Sequence, residues 1–387
     1  MALSRISAAS AATRPGRLAR RTFLAKTAIA GASLLIPRPN TSRAADDNPL
    51  RIDTPLDRLV PEIEAAVREA MTEHKVPGLS IALLRDGQTV WSGGFGLMDQ
   101  ESGQRVDDET VFEAASLTKP VTAYAALCLV EQGRLDLDKS LSEYLEEPYA
   151  DDKSGFLPRV TARHVLTHTT GLPNWLGGKT ARFLSKPGYK FGYSGEGFVY
   201  LQRAIEHLTE SPLDAYLKEQ LFEPLGMASS SLTWRDDYQQ RLAKGYMPAL
   251  KRGIRRKQAE PNAASSLVCT PADYARFVQR LLERPAPRAR GIVLADVAPM
   301  WKPAVDAAEG ISWGLGIGIE HTPQGDAFWH WGNNGGMYNA FVVGYPRERL
   351  ALVVLTNGGT GLKACTTIVP VGIGGDHPAL RWSKVVG

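Results

Sequence analysis

Cysteine is scarce in this chain of 387 residues, which contains only Cys128, Cys269 and Cys365. An odd number excludes a framework in which every cysteine is paired. Cys128 lies in an apolar stretch and is expected to be a small buried side chain. Cys269 and Cys365 could pair in an oxidising compartment. The spacing of the three residues does not indicate a metal site.

Long hydrophobic runs are also missing, so no stable membrane span is predicted. With 43% hydrophobic and 22% charged residues, the composition is that of a globular protein, long enough for one large domain or two smaller domains that share a face. Acidic residues are absent from residues 1–44, which hold eight arginines and lysines. Residues 45–387 therefore carry 37 basic and 41 acidic side chains, and the overall charge does not point to nucleic acid. The dense basic run at residues 251–257 is interpreted as a solvated loop.

The basic N-terminal segment has the order of an export signal. Arg20 and Arg21 precede Thr22-Phe23-Leu24, a short apolar run follows at residues 28–36, and Ser42-Arg43-Ala44 offers small residues for cleavage. A twin-arginine pair, an apolar run too short to cross a bilayer and a cleavage site together predict that residues 1–44 direct export. We therefore expect a periplasmic or secreted protein.

Hydrophobic periodicity predicts strands near both ends of the chain and helices between them. Strands joined by short turns are antiparallel neighbours, so the sheet is expected to be mostly antiparallel. The predicted hairpins are residues 79–95 around Asp86-Gly87, 313–331 around Pro323 and Gly325, and 338–355 around Pro346. The predicted helices are Pro61 to His74, the helix beginning near Ser116, Gly197 to Thr209, Pro212 to Leu221, Pro271 to Leu282 and, in part, Leu362 to Val371.

This order of elements predicts how the chain is divided. The first and last parts, residues 45–134 and 291–387, are expected to form one sheet domain. Residues 135–290, which are helical and rich in loops, are expected to form an insertion domain packed against it. No fixed-period repeat is present.

Ser116-Leu117-Thr118-Lys119 is the segment most suggestive of chemistry. A serine and a lysine three residues apart lie on one face of a helix, and the helix that follows is apolar nearly all round, which predicts that it is buried. A lysine in apolar surroundings loses part of its preference for the charged form and can assist a serine nucleophile. Taken alone, a motif of four residues favours the structural interpretation, in which Ser116 caps the helix and Lys119 is a solvated side chain.

Two later segments favour the catalytic interpretation. Tyr193 lies in a glycine-rich turn before a helix, and a nearby lysine ammonium would make its phenol easier to deprotonate, so that it could act as a general base. His330-Trp331-Gly332-Asn333 ends a predicted strand. A backbone N–H of this strand, together with that of Ser116, could form an oxyanion hole, and His330 could donate a hydrogen bond to the substrate or to Tyr193. Each of the two aromatic side chains could instead be structural.

The ordered set of Ser116-Leu-Thr-Lys119, Tyr193-Ser194-Gly195 and His330-Trp331-Gly332 resembles the motifs of the serine β-lactamase and penicillin-binding-protein superfamily. Residues 164–173 (HVLTHTTGLP) resemble the segment between the first two motifs in the branch that holds class C β-lactamases, D-alanyl-D-alanine carboxypeptidases, D-aminopeptidases and related esterases. The resemblance extends from about Pro61 to Thr356. It implies an α+β (α/β) protein with a β-lactamase/transpeptidase-like fold, in which an antiparallel sheet is flanked by helices and joined to a helical insertion domain.

The resemblance also implies roles for individual residues. Ser116 would attack a carbonyl and form an acyl-enzyme, Lys119 and Tyr193 would move its proton, and the N–H groups of Ser116 and Asn333 would hold the oxyanion. Gly332 and Gly195 would border the substrate. The mechanism requires no metal or other cofactor.

Two residues depart from the motifs of β-lactamases. Gly195 stands where an asparagine often contacts the acylamino side chain of the substrate. His330 stands where class C β-lactamases have a lysine facing the substrate carboxylate, and a histidine is at most partly charged at neutral pH. Histidine occurs at this position in esterases and peptidases of the family, so the sequence favours an exported serine hydrolase of a small-molecule ester, β-lactam or peptide, with esters or amides preferred.

Alternative functions remain at this stage. The enzyme could be a D-alanyl-D-alanine carboxypeptidase or a true β-lactamase, or the fold could serve a non-catalytic wall-binding or scaffold protein. His164 and His168 have the spacing of a zinc-protease pair, but Val165 replaces the glutamate that such a site needs, so both histidines are interpreted as packed side chains.

Overall fold

The computed structural model describes residues 48–254, 257–283 and 295–386 of the chain. The predicted export signal lies outside the described residues. Within them, no helix combines the length and the apolar character that crossing a membrane requires.

A nine-stranded antiparallel sheet is the centre of the described structure, in the order β3-β2-β1-β13-β12-β11-β10-β9-β8. Strands from the start and the end of the chain meet where β1 pairs with β13, with Leu79 opposite Thr356. The prediction of a mostly antiparallel sheet is confirmed. Its strands are β1 Gly78–Arg85, β2 Gln88–Asp99, β3 Gln104–Arg105, β8 Val305–Ala308, β9 Ile311–Trp313, β10 Gly318–Thr322, β11 Gly325–Asn334, β12 Tyr338–Tyr345 and β13 Leu350–Thr356.

Two two-stranded sheets accompany the main sheet. Strand β4 (Phe112–Ala115) pairs with β7 (Leu267–Cys269), and β5 (Tyr246–Met247) pairs with β6 (Lys251–Arg252). The helices are α1 Leu56–His74, α2 Thr118–Glu131, α3 Ala162–Leu166, α4 Gly195–Thr209, α5 Leu213–Leu217, α6 Glu223–Leu225, α7 Tyr238–Arg241, α8 Pro271–Leu282, α9 Gly361–Ile373 and α10 Ser383–Val386, with a π-helical turn at Lys218–Phe222 and 3₁₀ turns at Leu141–Tyr144, Leu157–Arg159, Pro248–Leu250 and Pro378–Arg381.

Alternation along the central strands divides the core into two layers. In β13, Val353 and Leu355 belong to one buried cluster, whereas Leu352 and Val354 belong to the other. Successive side chains of a strand point to opposite faces, so each cluster covers one face of the sheet. Helices α2, α4 and α8 contribute to the first cluster, and α1 and α9 contribute to the second. This arrangement of helices on both faces of an antiparallel sheet confirms the predicted fold class.

Some predicted elements differ at their boundaries. The predicted strand from Trp313 to Ile319 is two strands, because Gly316 between them adopts a φ of +84° that a continuous strand does not allow. The predicted helix from Pro212 to Leu221 passes from α5 into the π-helical turn after Leu217. Helix α8, in contrast, has the predicted limits, and Thr270 caps it by accepting a hydrogen bond from Asp273 N.

All three cysteines are buried and unpaired. Cys269 lies in the first core cluster and Cys365 in the second, on opposite faces of the sheet. The suggestion that they could pair is therefore wrong for this fold.

Candidate functional site

Ser116 lies in the short connection between β4 and α2. Ala115, the last residue of β4, has a φ of +50°, a left-handed conformation that non-glycine residues rarely adopt and that often marks functional sites. Thr118 Oγ1 fixes this turn by donating a 2.6 Å hydrogen bond to Ala115 O. Ser116 does not cap the helix through its side chain. Its Oγ accepts a 3.0 Å hydrogen bond from Lys119 Nζ instead.

Lys119 is buried in spite of its charge, with only 1% of its surface exposed. Nζ donates a second hydrogen bond, of 2.8 Å, to Ala264 O, and lies 4.8 Å from the centroid of the Tyr193 ring. Within the described part of the chain, no carboxylate pairs with it. Desolvation lowers the pKa of Lys119 to about 7, because burial disfavours the ammonium form. A sizeable fraction of the amine is therefore neutral at pH 7, and the alternative of a solvated Lys119 is wrong.

Tyr193 is held by a loop that includes the HTTGLP segment. The turn after it is fixed at three points: Ser194 N donates to His168 Nδ1 (3.1 Å), Ser194 Oγ donates to Pro173 O (2.8 Å), and Gly195 N donates to Asn174 Oδ1 (2.8 Å). Ser194 Oγ also accepts a hydrogen bond from Gly197 N at the start of α4. The residues around Tyr193 are therefore positioned by contacts that are distant in sequence.

The protonation state of Tyr193 differs from the sequence-based prediction. Burial raises the pKa of its phenol, and the nearby Ser116 hydroxyl lowers it only in part. The hydroxyl is buried, and its geometry toward Ser116 falls short of a full hydrogen bond. In the free protein desolvation dominates, so this phenol is harder to deprotonate than that of a solvated tyrosine. Tyr193 is a neutral phenol that retains its proton.

His330 is also neutral, for the same reason. Desolvation, followed by the charge of Lys119, lowers the pKa of His330 to about 3. Nδ1 lies 2.8 Å from Trp331 O, and a carbonyl only accepts, so Nδ1 carries the proton and Nε2 is left as an acceptor. Nε2 is buried without a hydrogen-bond partner, and the residue is 0% exposed. His330 therefore does not donate a hydrogen bond to Tyr193 in the free protein, and a hydrogen bond to substrate stays a prediction.

Gly332 brings the third motif against the nucleophile. A Cβ placed on Gly332 would lie 2.5 Å from Ala114 O and 3.2 Å from Ser116 N, so only glycine allows β11 to approach β4 this closely. Asn333 follows it, opposite Asn339 of β12, and accepts a 3.0 Å hydrogen bond from Gly336 N through Oδ1. The structure thus brings Gly332 and Asn333 to the segment that carries Ser116.

Gly195 borders a different part of the site. A Cβ on Gly195 would lie 2.9 Å from Cη2 of Trp175 and 3.1 Å from Asn174 Oδ1. The half-exposed Trp175 ring therefore fills the space that the Cβ of a larger residue at position 195 would need.

Sequence reasoning missed two contributions to this arrangement. His168 is a packed side chain as expected, but its partner is Tyr193: the ring centroids are 4.4 Å apart with the planes tilted by 31°, and His168 has a φ of +54°. Asn334 Nδ2 donates to Glu113 Oε2 and, at 3.0 Å, to Ser265 O. Glu113 belongs to β4, the strand that leads to Ser116. Ser265 is the residue after Ala264, whose carbonyl accepts a hydrogen bond from Lys119. The asparagine pair at 333–334 was a visible signal, but nothing local to it reveals the partners of Asn334.

A second serine constellation lies elsewhere, across β9, β10 and β11. Ser312 Oγ is 2.6 Å from His321 Nε2, and His321 Nδ1 is 2.8 Å from Asp326 Oδ1. These are the distances of a serine–histidine–aspartate triad. Ser312 is only 2% exposed, and Ser312 and His321 lie on paired strands as a cross-strand polar contact. We assign this cluster to the structure of the sheet rather than to catalysis.

Comparison with known proteins agrees with the motifs and the fold. The model of the beta-lactamase family matches residues 63–366. Esterase EstB of Burkholderia gladioli is 30% identical over 233 residues, which cover 59% of this chain and 53% of the esterase. Penicillin-binding protein 4 of Amycolatopsis lactamdurans is 26% identical over 328 residues, or 77% of this chain and 85% of that protein. The chain thus aligns with only about half of the length of the esterase.

Among solved structures, a beta-lactamase/D-alanine carboxypeptidase from Pseudomonas syringae superimposes with a TM-score of 0.72 at 20% identity, covering 81% of this chain and 98% of that one. This likeness supports the fold. With the family match over most of its length, the chain belongs to the beta-lactamase family of serine hydrolases.

Proposed function

We propose that this protein hydrolyses carboxylic esters through an acyl-enzyme on Ser116. The observation that carries the proposal is the 3.0 Å contact between Ser116 Oγ and Lys119 Nζ, made by a buried lysine whose pKa is lowered to about 7. A base with a pKa near the working pH is the most effective at general-base catalysis. The similarity of this chain to esterase EstB agrees with this chemistry.

In the proposed reaction, neutral Lys119 takes the proton of Ser116 as Oγ attacks the ester carbonyl. The N–H groups of Ser116 and Asn333 stabilise the resulting oxyanion. When the C–O bond to the alcohol breaks, the alkoxide takes a proton from the lysine ammonium, either directly or through the Tyr193 phenol, which gives up its own proton and receives that of the ammonium. The regenerated Lys119 amine then deprotonates a water molecule that attacks the acyl-enzyme, and the lysine ammonium returns this proton to Ser116 Oγ as the acid leaves.

Substrates without a carboxylate are expected to react faster. A β-lactam carries a carboxylate that needs a cation, whereas His330 is neutral, buried and has a lone pair on Nε2. A charge-assisted hydrogen bond exceeds a neutral one by about 1 kcal/mol, so its loss should weaken binding of an anionic substrate by roughly fivefold. The half-exposed Trp175 beside Gly195 offers an apolar surface in place of the asparagine amide.

The nucleophile can be tested with a fluorophosphonate probe. We expect labelling and turnover of p-nitrophenyl butyrate in the wild type and in Ser312→Ala, and neither in Ser116→Ala. The Ser312→Ala variant is a matched control, because it removes the serine of the only other constellation described above with triad-like distances. Undiminished turnover by Ser116→Ala would exclude the mechanism, and complete inertness of the wild type would favour a binding or scaffold protein.

Substrate preference can be tested by comparing kcat/KM for p-nitrophenyl butyrate with that for the half-ester p-nitrophenyl hydrogen glutarate, at 0.15 M ionic strength, approximately physiological. The two share a leaving group and differ mainly in charge. We expect the neutral ester to be favoured, and nitrocefin to be poorer still. Efficient hydrolysis of nitrocefin or release of D-alanine from peptides, with negligible esterase activity, would instead identify a β-lactamase or a carboxypeptidase.

We further propose that the protein acts outside the cytoplasm, on the basis of the twin-arginine segment. The exported chain is expected to begin near Ala45, which the intact mass of protein recovered from the periplasm or medium would measure.

A further inference from the structure

Two segments that border the candidate site are strongly basic. We call residues 174–192 the rim loop and residues 244–254 the rim hairpin. Together they contain seven lysines and arginines and no acidic residue, and one of the seven, Arg252, pairs with Glu101 outside the rim. The remainder of residues 45–387 has 30 basic and 41 acidic residues. Positive charge is thus concentrated in two short segments of a chain that is otherwise acidic.

Each segment touches a different motif of the site. The rim loop begins at Asn174, which accepts a hydrogen bond from Gly195 N, and its Trp175 ring lies beside Gly195. The rim hairpin, formed by β5 and β6, packs where the chain turns after Asn333 and Asn334, since a Cβ on Gly253 would overlap Met337. The rim loop therefore borders the Tyr193 side of the site, and the rim hairpin borders the Asn333 side.

Both segments also expose large apolar side chains. Tyr189 is 76% exposed, Leu184 is 66% exposed and Ile254 is 92% exposed. The large hydrophobic side chains with the greatest exposure in the described residues are these three and Trp175, and all four lie in the rim segments. Lys186 and Lys190, beside Leu184 and Tyr189, are exposed as well.

We propose that the rim loop and the rim hairpin form a docking surface for bilayers that contain anionic phospholipids. Lysines and arginines near such a bilayer are attracted to its headgroups, and exposed aromatic and aliphatic side chains enter the boundary between headgroups and acyl chains. A soluble polyanion would satisfy the charges but would offer nothing to the apolar side chains, so the combination favours a lipid surface. Docking itself does not depend on the reaction. Docking would also present amphiphilic esters to Ser116, and this consequence rests on the proposed function.

A fluorophore on the rim can detect docking directly. All three native cysteines are buried, so Tyr189→Cys in the full chain, in a Ser116→Ala background, allows selective labelling with an environment-sensitive dye. Ala65→Cys, at an exposed position of α1 outside the rim segments, is the matched control position. We expect the dye at residue 189 to brighten at least twofold with phosphatidylglycerol-containing vesicles but not with pure phosphatidylcholine vesicles, and the dye at residue 65 to remain unchanged.

Charge reversal provides the second arm. Lys186→Glu with Lys190→Glu should weaken vesicle binding of the residue-189 reporter by about tenfold or more, since each basic residue near the surface contributes substantially. Lys153→Glu with Lys218→Glu changes the net charge equally at exposed positions outside the rim and should change binding by less than about twofold. The Ser116→Ala background separates docking from catalysis, because hydrolysis of p-nitrophenyl butyrate by the unmutated protein reports the proposed function independently.

Several results would overturn the proposal. These are an unchanged signal at residue 189, an equal rise at residues 65 and 189, or equal losses in the two charge-reversal pairs. Inorganic polyphosphate provides a further test. If a small amount of it, counted in charges, displaces the vesicles, and if polyphosphate alone brightens the dye equally, the rim binds polyanions without lipid insertion. That result would likewise exclude docking on a bilayer.

Discussion

Lys119 shows how a single side chain acquires its chemistry from its surroundings. Its Nζ lies between Ser116 Oγ and Ala264 O, and burial lowers its pKa to about 7. Tyr193 and His330 are buried in the same region, and the same desolvation raises the pKa of the phenol and lowers that of the imidazole. Around Ser116, then, Lys119 is the group that changes protonation near neutral pH.

This predicts the pH dependence of the reaction. Only the neutral amine can take the proton of Ser116, so kcat/KM for p-nitrophenyl acetate should rise with pH, reach half of its maximum near pH 7 and level off above it. Lys119→Arg, which remains cationic, should abolish this rising limb together with turnover. The profile from pH 5 to 9 is the measurement.

His330 supplies the control for this profile. With a pKa of about 3, it is neutral throughout the range, so His330→Gln should keep a midpoint near 7 even where the overall rate falls. A midpoint that disappears in His330→Gln would identify the imidazole as the base and would contradict the role given to Lys119.

At the scale of elements, the site depends on where three segments meet. Strand β4 leads into Ser116, the chain around Ala264 holds Lys119, and β11 ends with Asn333 and Asn334. The side chain of Asn334 ties them together, because its amide donates to Glu113 Oε2 in β4 and to Ser265 O. Asn334 is thus a positioning residue for the proposed oxyanion site.

Removing this tie should affect kcat more than KM. In Asn334→Ala, the end of β11 loses its link to β4, and a small misplacement of the oxyanion donors can reduce the rate by roughly tenfold to a hundredfold. We expect that loss in kcat for p-nitrophenyl butyrate with little change in KM, whereas Gln239→Ala, at an exposed position in α7, should have no effect. A kcat loss that is fully explained by a lower folded fraction, measured by thermal unfolding at the assay temperature, would contradict the positioning role.

Sequence and structure agree best on elements whose residues act locally. Helix α8 has the predicted limits because Thr270 and Pro271 define its start, and the hairpin around Asp86-Gly87 follows from its turn residues. The strand predicted from Trp313 to Ile319 failed because Gly316 bends the chain beside Ala123 of α2, a contact that no local pattern contains.

For the whole molecule, a buried ion pair connects the C-terminal segment to the sheet. His377 Nδ1 lies 2.6 Å from Glu320 Oε1, and the two side chains are 2% and 0% exposed. Ala379 N donates to the other carboxylate oxygen. Burial alone would lower the pKa of His377, but the charge and hydrogen bond of Glu320, with Gly374 O and Asp376, raise it overall above 6.5.

The sign of the effect on stability follows from this shift. A pKa raised in the folded state contributes stability that is fully present below the unfolded value of 6.5 and is lost as pH rises through the folded value. His377→Gln leaves Glu320 buried without its partner, so it should lower the free energy of unfolding by about 3–5 kcal/mol at pH 6 and by less at pH 9. Urea unfolding at both pH values measures the difference.

Two comparisons make this prediction specific. His207→Gln, at an exposed position of α4, should not alter the free energy of unfolding by more than about 0.5 kcal/mol. His377→Leu combined with Glu320→Leu should cost less than His377→Gln alone, because it removes both buried charges. A loss that is equal at pH 6 and pH 9 would show that the pair contributes only through packing.

The sequence by itself determined the order of the motifs around Ser116, Tyr193 and His330, the family to which they belong and the antiparallel sheet, because hydrophobic alternation, turn residues and motif spacing are local properties of the chain. Only the tertiary structure decided the protonation states of Lys119, Tyr193 and His330, since desolvation depends on which distant segments pack around each group. It also decided that Cys269 and Cys365 lie on opposite faces of the sheet, and that Asn334 connects the three segments of the site. Contacts between residues far apart in sequence exist only once the sheet has brought the ends of the chain together.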